Sequence, residues 1–269
     1  MRKIPDLSLA LASLICLQTS SGTGFIYRSD IFLYLVTAKH VLFDDAQNLR
    51  ATEIEMIGQT LNIDDEEVYS LNIDLTLAKP KYHKNNDVAV IQIAKIVNIT
   101  EVVISENIGP IQTVNISYLD GVIIGEKGSA NPTLCSKVST SHFKNVYISN
   151  DIYISGYPTS LGIQTSKQFD NTKPLLRKGI VANIYKETKT IILDCPAYGG
   201  NSGGPVIQVQ ESPDGLKEFK VIGVVSQFIP FVQKWKNERD RIIHLEYLNS
   251  GYSVATSFDC VLELIKSME

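Results

Sequence analysis

Cysteine is scarce in this sequence: four thiols in 269 residues, Cys16, Cys135, Cys195 and Cys260, with no C-x-x-C spacing. That excludes the common zinc and dithiol motifs, so neither metal nor cofactor is expected. Two disulfides or a fully reduced chain remain equally open. Charge of one sign is lacking too. With 25 Lys and Arg against 29 Asp and Glu, the net charge of -4 gives no basic footprint for nucleic acid. The dense "KWKNERDR" from Lys234 to Arg241 is interleaved with acids and reads as a solvated loop or helix face, as does "DDEE" at Asp64 to Glu67. No apolar run approaches the ~20 residues a membrane helix needs. "LSLALASLICL" behind "MRK" has the outline of a secretory signal. Cleavage near Ser20, however, would remove Ala12 to Gln18, which itself reads as an opening strand.

What is present is ordinary for a folded protein, 44% hydrophobic and 20% charged, and long enough to bury a core. Short runs rich in Val, Ile, Tyr and Phe recur, among them "GFIYR", "FLYLVTA", "VAVIQIA", "GIVANIY", "KTIILD" and "KVIGVVSQF". Turn formers such as "RSD" and "KNND" separate them, the pattern of an all-β sandwich or barrel. Two segments read as helical. One is a brief turn at "HVLFDD" beginning at His40. The other is the C-terminus, where Thr256 and Asp259 suggest a capping box and Val261, Leu264 and Ile265 form a stripe. No repeat or flexible linker divides the chain.

"YGGNSGGPV", Tyr198 to Val206, surrounds Ser202 with four glycines. Glycine serves where the backbone needs φ > 0 or a very close approach. One such use is a turn that exposes a nucleophilic serine while aiming amides at a developing oxyanion; a plain hairpin turn is the other. A serine nucleophile needs a base. His40 closes the strand-like "YLVTAKHV" and would stand at a barrel rim, whereas His83, His142 and His244 lack such framing and read as surface or packing residues. A carboxylate must then fix the imidazole tautomer. Asp87, opening "NDVAVIQIA", suits that role, although alone it also reads as a turn aspartate.

Taken together, "TAKHV", "NDVAV" and "GNSGGPV", in the order His, Asp, Ser, resemble the trypsin/chymotrypsin-like serine peptidases, in particular the bacterial branch that includes the HtrA-type protease domain. "SGTGFIY" (Ser21 to Tyr27), "ISGYPTSLG" (Ile154 to Gly162), "RKGIVANI" and "VIGVVSQF" extend the resemblance from about Ser13 to the C-terminal helix. It implies an all-β, chymotrypsin-like single domain over residues 1–269. Two six-stranded antiparallel barrels, at roughly 12–118 and 119–255, would flank the active site, with a helix at roughly 257–268. Ser202 would attack, His40 would carry the proton, Asp87 would orient His40, and an acyl-enzyme would form. The backbone of Gly200, Asn201 and Ser202 would make the oxyanion hole. Cys195, Pro196, Ala197, Tyr198 and Gly199 would wall the substrate pocket on one side; Ser226, Gln227 and Phe228 would wall it on the other. Ser226 would also offer its backbone to an extended substrate. Pro196 stands where Lys- and Arg-cleaving relatives carry an acid, so cleavage after Lys or Arg is disfavoured and a small or medium apolar side chain suits better.

Departures from the pattern are informative. Asn201 replaces the aspartate that pairs with a new N-terminus in digestive members, and no "IVGG"-type start exists, so activation of that kind is not expected. Val41 stands where secreted animal members have a disulfide cysteine. This points to a cytoplasmic bacterial protein, with export as the alternative if residues 1–20 act as a signal. The 67 residues after Ser202 are expected to go into barrel and helix, so the resemblance is expected to stop at the protease unit, without a PDZ domain. Expected partners are a polypeptide substrate and a regulatory protein. A non-catalytic or partner-activated binding module on the same fold is the rival reading. An esterase on another fold lacks its G-x-S-x-G elbow here.

Overall fold

A computed structural model describes residues 4–60, 68–102, 111–129, 132–159, 170, 172–211, 214–237 and 242–269. A short α1 (Asp6–Ala10) leads into β1 (Ala12–Cys16), β2 (Ser21–Arg28), β3 (Phe32–Thr37) and the single turn α2 (Lys39–Leu42). Then come β4 (Glu53–Gln59), β5 (Val68–Asp74), α3 (Leu75–Ala78), β6 (Lys81–Tyr82), β7 (Ala89–Val102), β8 (Ile111–Tyr118), β9 (Val122–Ser129) and β10 (Leu134–Ser136). These strands build one curled sheet, a half-barrel ordered β6-β7-β3-β2-β1-β4-β5-β9, with β8 on β7 and β10 on β2. The second unit is a closed barrel of six strands. It consists of β11 (Asp151–Gly156), β12 (Leu175–Tyr185), β13 (Thr190–Asp194), β14 (Pro205–Glu211), β15 (Lys217–Asn237) and β16 (Ile242–Ser257), followed by α4 (Phe258–Lys266).

Burial on two faces explains why "FLYLVT" and "VAVIQI" do not alternate. Leu33, Leu35, Ile91 and Ile93 fill the first unit's interior. Tyr34, Val36, Val88 and Val90 face the other way, against Phe258, Val261 and Ile265 of α4. The helix is thus a wedge between the units. Its cap lies one residue beyond the expected Thr256: Ser257 Oγ accepts from the Asp259 N–H at 3.2 Å. The Thr256 hydroxyl is instead engaged with Ser226 Oγ at 2.8 Å.

Two further expectations are corrected. The first unit extends to Ser136 rather than 118, because β9 pairs with β5 and β10 runs parallel to β2, with Leu134 opposite Ile26. Lys234 to Asn237 are neither loop nor helix. Cross-strand pairing, Lys234 with Leu245 and Trp235 with His244, holds them in β15. Residues 238–241, Asp64 to Glu67 and the end of "ISGYPTSLG" from Ser160 lie outside the described residues. The opening strand falls where expected, with β1 between β2 and β4. Among the described residues no helix is long and apolar enough to cross a membrane.

Candidate active site

Pairing of β3 with β7 sets Thr37 opposite Ala89, and this register brings His40 and Asp87 together, three residues beyond one strand and two before the other. Val41 and Leu42 are drawn into the core, which turns His40 outward with 46% of its side chain exposed. Asp87 grips it twice: Oδ1 accepts the His40 backbone N–H at 3.0 Å, and Oδ2 lies 2.7 Å from Nδ1. An ionised carboxylate only accepts, so Nδ1 carries the proton and the Nε2 lone pair is left for another donor.

Ser202 sits in the loop between β13 and β14. Gly200 and Gly203 hold φ of +96° and +89°, the left-handed region. A Cβ on Gly203 would strike the Thr23 carbonyl, Thr37 Oγ1 and the Ala38 amide; one on Gly200 would strike the Tyr157 carbonyl and the Thr159 amide. The serine loop therefore lies directly against the strand end that presents His40. Gly203 donates its N–H to Val225 O at 2.7 Å, and Thr23 donates its N–H to Ser202 O at 2.9 Å. The Ser202 hydroxyl is turned toward the Ser226 carbonyl, 3.3 Å away, and no hydrogen bond joins it to His40 among the described residues. Turning this hydroxyl away from the Ser226 carbonyl would require rotation about the Cα–Cβ bond.

The three expected oxyanion-hole residues divide. Among the described residues the Gly200 and Ser202 amides donate to no protein acceptor, whereas the Asn201 amide is committed to Tyr198 O at 2.9 Å. Asn201 instead braces the turn. It is 1% exposed, and its Oδ1 accepts the Tyr198 N–H at 3.1 Å.

The expected pocket walls divide as well. Cys195 and Ala197 belong to the barrel core, their carbonyls accepting from Ser253 Oγ at 2.7 Å and Asn249 Nδ2 at 2.6 Å. Burial pushes the Cys195 thiol up to about 11, with the Arg177 charge opposing. Inward packing thus corrects the expectation that its side chain faces substrate. Pro196 and Tyr198 are half-buried; Gly199, Gln227 and Phe228 are exposed. The Arg177 guanidinium stacks 4.4 Å from the Tyr198 ring centroid, and its buried Nε has no hydrogen-bond partner among the described residues.

Thr23 is the residue that sequence reasoning missed. Its Oγ1 donates to Gly200 O at 2.6 Å and accepts the Tyr157 N–H at 3.0 Å, tying β2 of the first unit to the serine loop of the second. Its only signal was a small polar residue between two glycines in "SGTGF". His142 forms a second histidine–aspartate pair, with Asp259 at 2.9 Å in the first turn of α4. His244 is exposed on β16.

Two β units, the first antiparallel apart from β10 and the second antiparallel throughout, with a histidine–aspartate pair at the rim of one and a glycine-framed serine at the rim of the other, match the chymotrypsin-like fold. The chain belongs to the trypsin-like peptidase domain family, which it matches over residues 22–215, and so to the serine endopeptidases as a class. In fold it is similar to the serine endoprotease from Yersinia pestis, with 14% identity and a TM-score of 0.50, spanning 100% of this chain and 67% of that one. It is also similar to the HtrA-type protease AlgW with tripeptide, with 16% identity and a TM-score of 0.50, spanning 97% of this chain and 60% of that one. No curated protein matches the sequence.

Proposed function

We propose that the protein hydrolyses peptide bonds through Ser202, His40 and Asp87 by way of an acyl-enzyme. The observation that carries this reading is the double grip of Asp87 on His40, which leaves Nε2 as a proton acceptor, together with a serine loop in which two amides donate to no acceptor among the described residues. Ser202 Oγ attacks the scissile carbonyl carbon as its proton passes to Nε2. Electrons move onto the carbonyl oxygen, which the Gly200 and Ser202 amides receive. Loss of one such donor costs about 3 to 4 kcal/mol in the barrier. Asp87 stabilises the imidazolium, which then gives its proton to the leaving amine as the C–N bond breaks. Water repeats the sequence on the ester and frees Ser202.

Cleavage after Lys or Arg is disfavoured on this reading. Pro196 puts no acid in the wall, and the Arg177 charge behind Tyr198 repels a cation. A reducing compartment fits best, supported by four free thiols and by the interior position of β1, which cleavage near Ser20 would remove. One observation favours a second reading, a module switched on by a partner: the Ser202 hydroxyl rests on Ser226 O instead of His40.

The test is fluorophosphonate labelling of wild type and Ser202→Ala, read by intact mass. One adduct on wild type alone is expected. No adduct on wild type, followed by labelling once a partner is added, would favour the second reading.

A further inference from the structure

His83, which the triad does not use, sits at the centre of the loop that presents Asp87. Its backbone N–H donates to Val88 O at 2.9 Å, closing the loop around its own side chain. Its Nδ1 accepts the backbone N–H groups of Asn85 at 3.2 Å and Asn86 at 3.1 Å, with Asn86 Nδ2 at 3.3 Å. A backbone amide can only donate, so Nδ1 carries no proton and the neutral ring holds its proton on Nε2. Nε2 faces Glu263 Oε2 of α4 at 3.4 Å.

Cys260 lies beside this pair, and the three residues offer ligand atoms within 4.8 Å of one another. An ion is nevertheless disfavoured: Nε2 spends its lone pair on a proton, and Lys189 already pairs with the other Glu263 oxygen. A metal-bound histidine needs its second nitrogen to donate, and here that nitrogen accepts.

We infer that His83 is a positioning residue for Asp87: the acceptor at Nδ1 gathers the loop, and protonation of that atom releases it. This rests on the triad reading above. A proton on Nδ1 would set a donor against three donors, open the loop and slacken both carboxylate contacts to His40. The charged and titratable groups facing the ring are Glu263 and Cys260 from α4, with Lys189 neutralising Glu263; Lys84 and Asp87 lie on the loop itself. A catalytic group displaced by about 1 Å costs ~10²-fold in rate.

The test compares the pH dependence of Ser202 labelling by a fluorophosphonate in wild type, His83→Asn and His83→Ala. Asparagine keeps an acceptor near the Nδ1 position and does not titrate. The expected result is an acid limb steeper than one proton in wild type and a one-proton limb with a near-normal rate at pH 8 in His83→Asn. His83→Ala should fall roughly 10²-fold at every pH. Lost packing alone would lower all rates without changing the slope. Equal rates and slopes in all three proteins would overturn the proposal, as would stoichiometric zinc uptake that Cys260→Ala abolishes. Silence of wild type at every pH would count against the triad alone. The histidine ¹⁵N spectrum then decides: an unprotonated Nδ1, with Asn85 and Asn86 losing exchange protection as the ring protonates, upholds the proposal, and a protonated Nδ1 at neutral pH overturns it.

Discussion

Asp87 uses its two oxygens differently, one fixing the His40 backbone and the other the ring. Substitution by asparagine keeps the shape but removes the charge and allows the wrong tautomer. Asp87→Asn should lower kcat/KM about 10⁴-fold while circular dichroism stays unchanged; a loss under tenfold would show that the carboxylate serves only the turn. Thr23 makes a different kind of demand. Thr23→Val leaves the Gly200 carbonyl and the Tyr157 amide without their buried partner, at about 1 to 3 kcal/mol for each unsatisfied group. Both the urea midpoint and the labelling rate of Ser202 should drop, and Thr23→Ser should restore them. Unchanged labelling in the valine variant would mean that the serine loop holds its shape without this tie.

Beyond the barrel, β15 and β16 continue as a two-stranded ribbon from Pro230 opposite Asn249 to Asn237 opposite Ile242. Phe231 and Trp235 are each 56% exposed and Tyr247 is 62% exposed. A lone ribbon of this kind is marginally stable in water and gains little from the barrel core. Trp235 is the only tryptophan, so tryptophan emission, excited at the red edge where tyrosine does not absorb, reports on the ribbon. Acrylamide quenching should be nearly as efficient in the native protein as in urea, and barrel unfolding should appear in circular dichroism without a matching emission shift. Strong protection of Trp235 in the native state would show that the ribbon folds against another surface.

At the scale of the whole molecule, three thiols are buried in different places: Cys135 beside β2, Cys195 in the second barrel and Cys260 in the helix wedge. Burial raises them from 9.0 to about 12, about 11 and about 11 respectively. The unfolded chain loses these protons first. Their contribution to stability is therefore complete below pH ~9 and is lost as pH rises through 11 to 12. Urea midpoints should hold level from pH 7 to 8.5 and then fall steadily, and iodoacetamide at pH 8 should spare all three in the native state. Rapid native alkylation of Cys195 or Cys260 would place that thiol in an opened site.

Strand identity, the helical turn after His40 and the roles proposed for His40, Asp87 and Ser202 were legible in the sequence, because β-branched runs, turn residues and the glycine-framed serine act through local backbone preference. Tertiary structure alone decided the rest. Thr23 gained its place from contact across 177 residues with Gly200, and His83 from a loop whose amides turn back on its ring. Asn201 and Cys195 moved from expected function to support because packing chose which way each group faced. Local pattern determines which segments extend and which turn. Where a given N–H, carbonyl or thiol ends up depends on chain segments distant in sequence, and only their packing settles it.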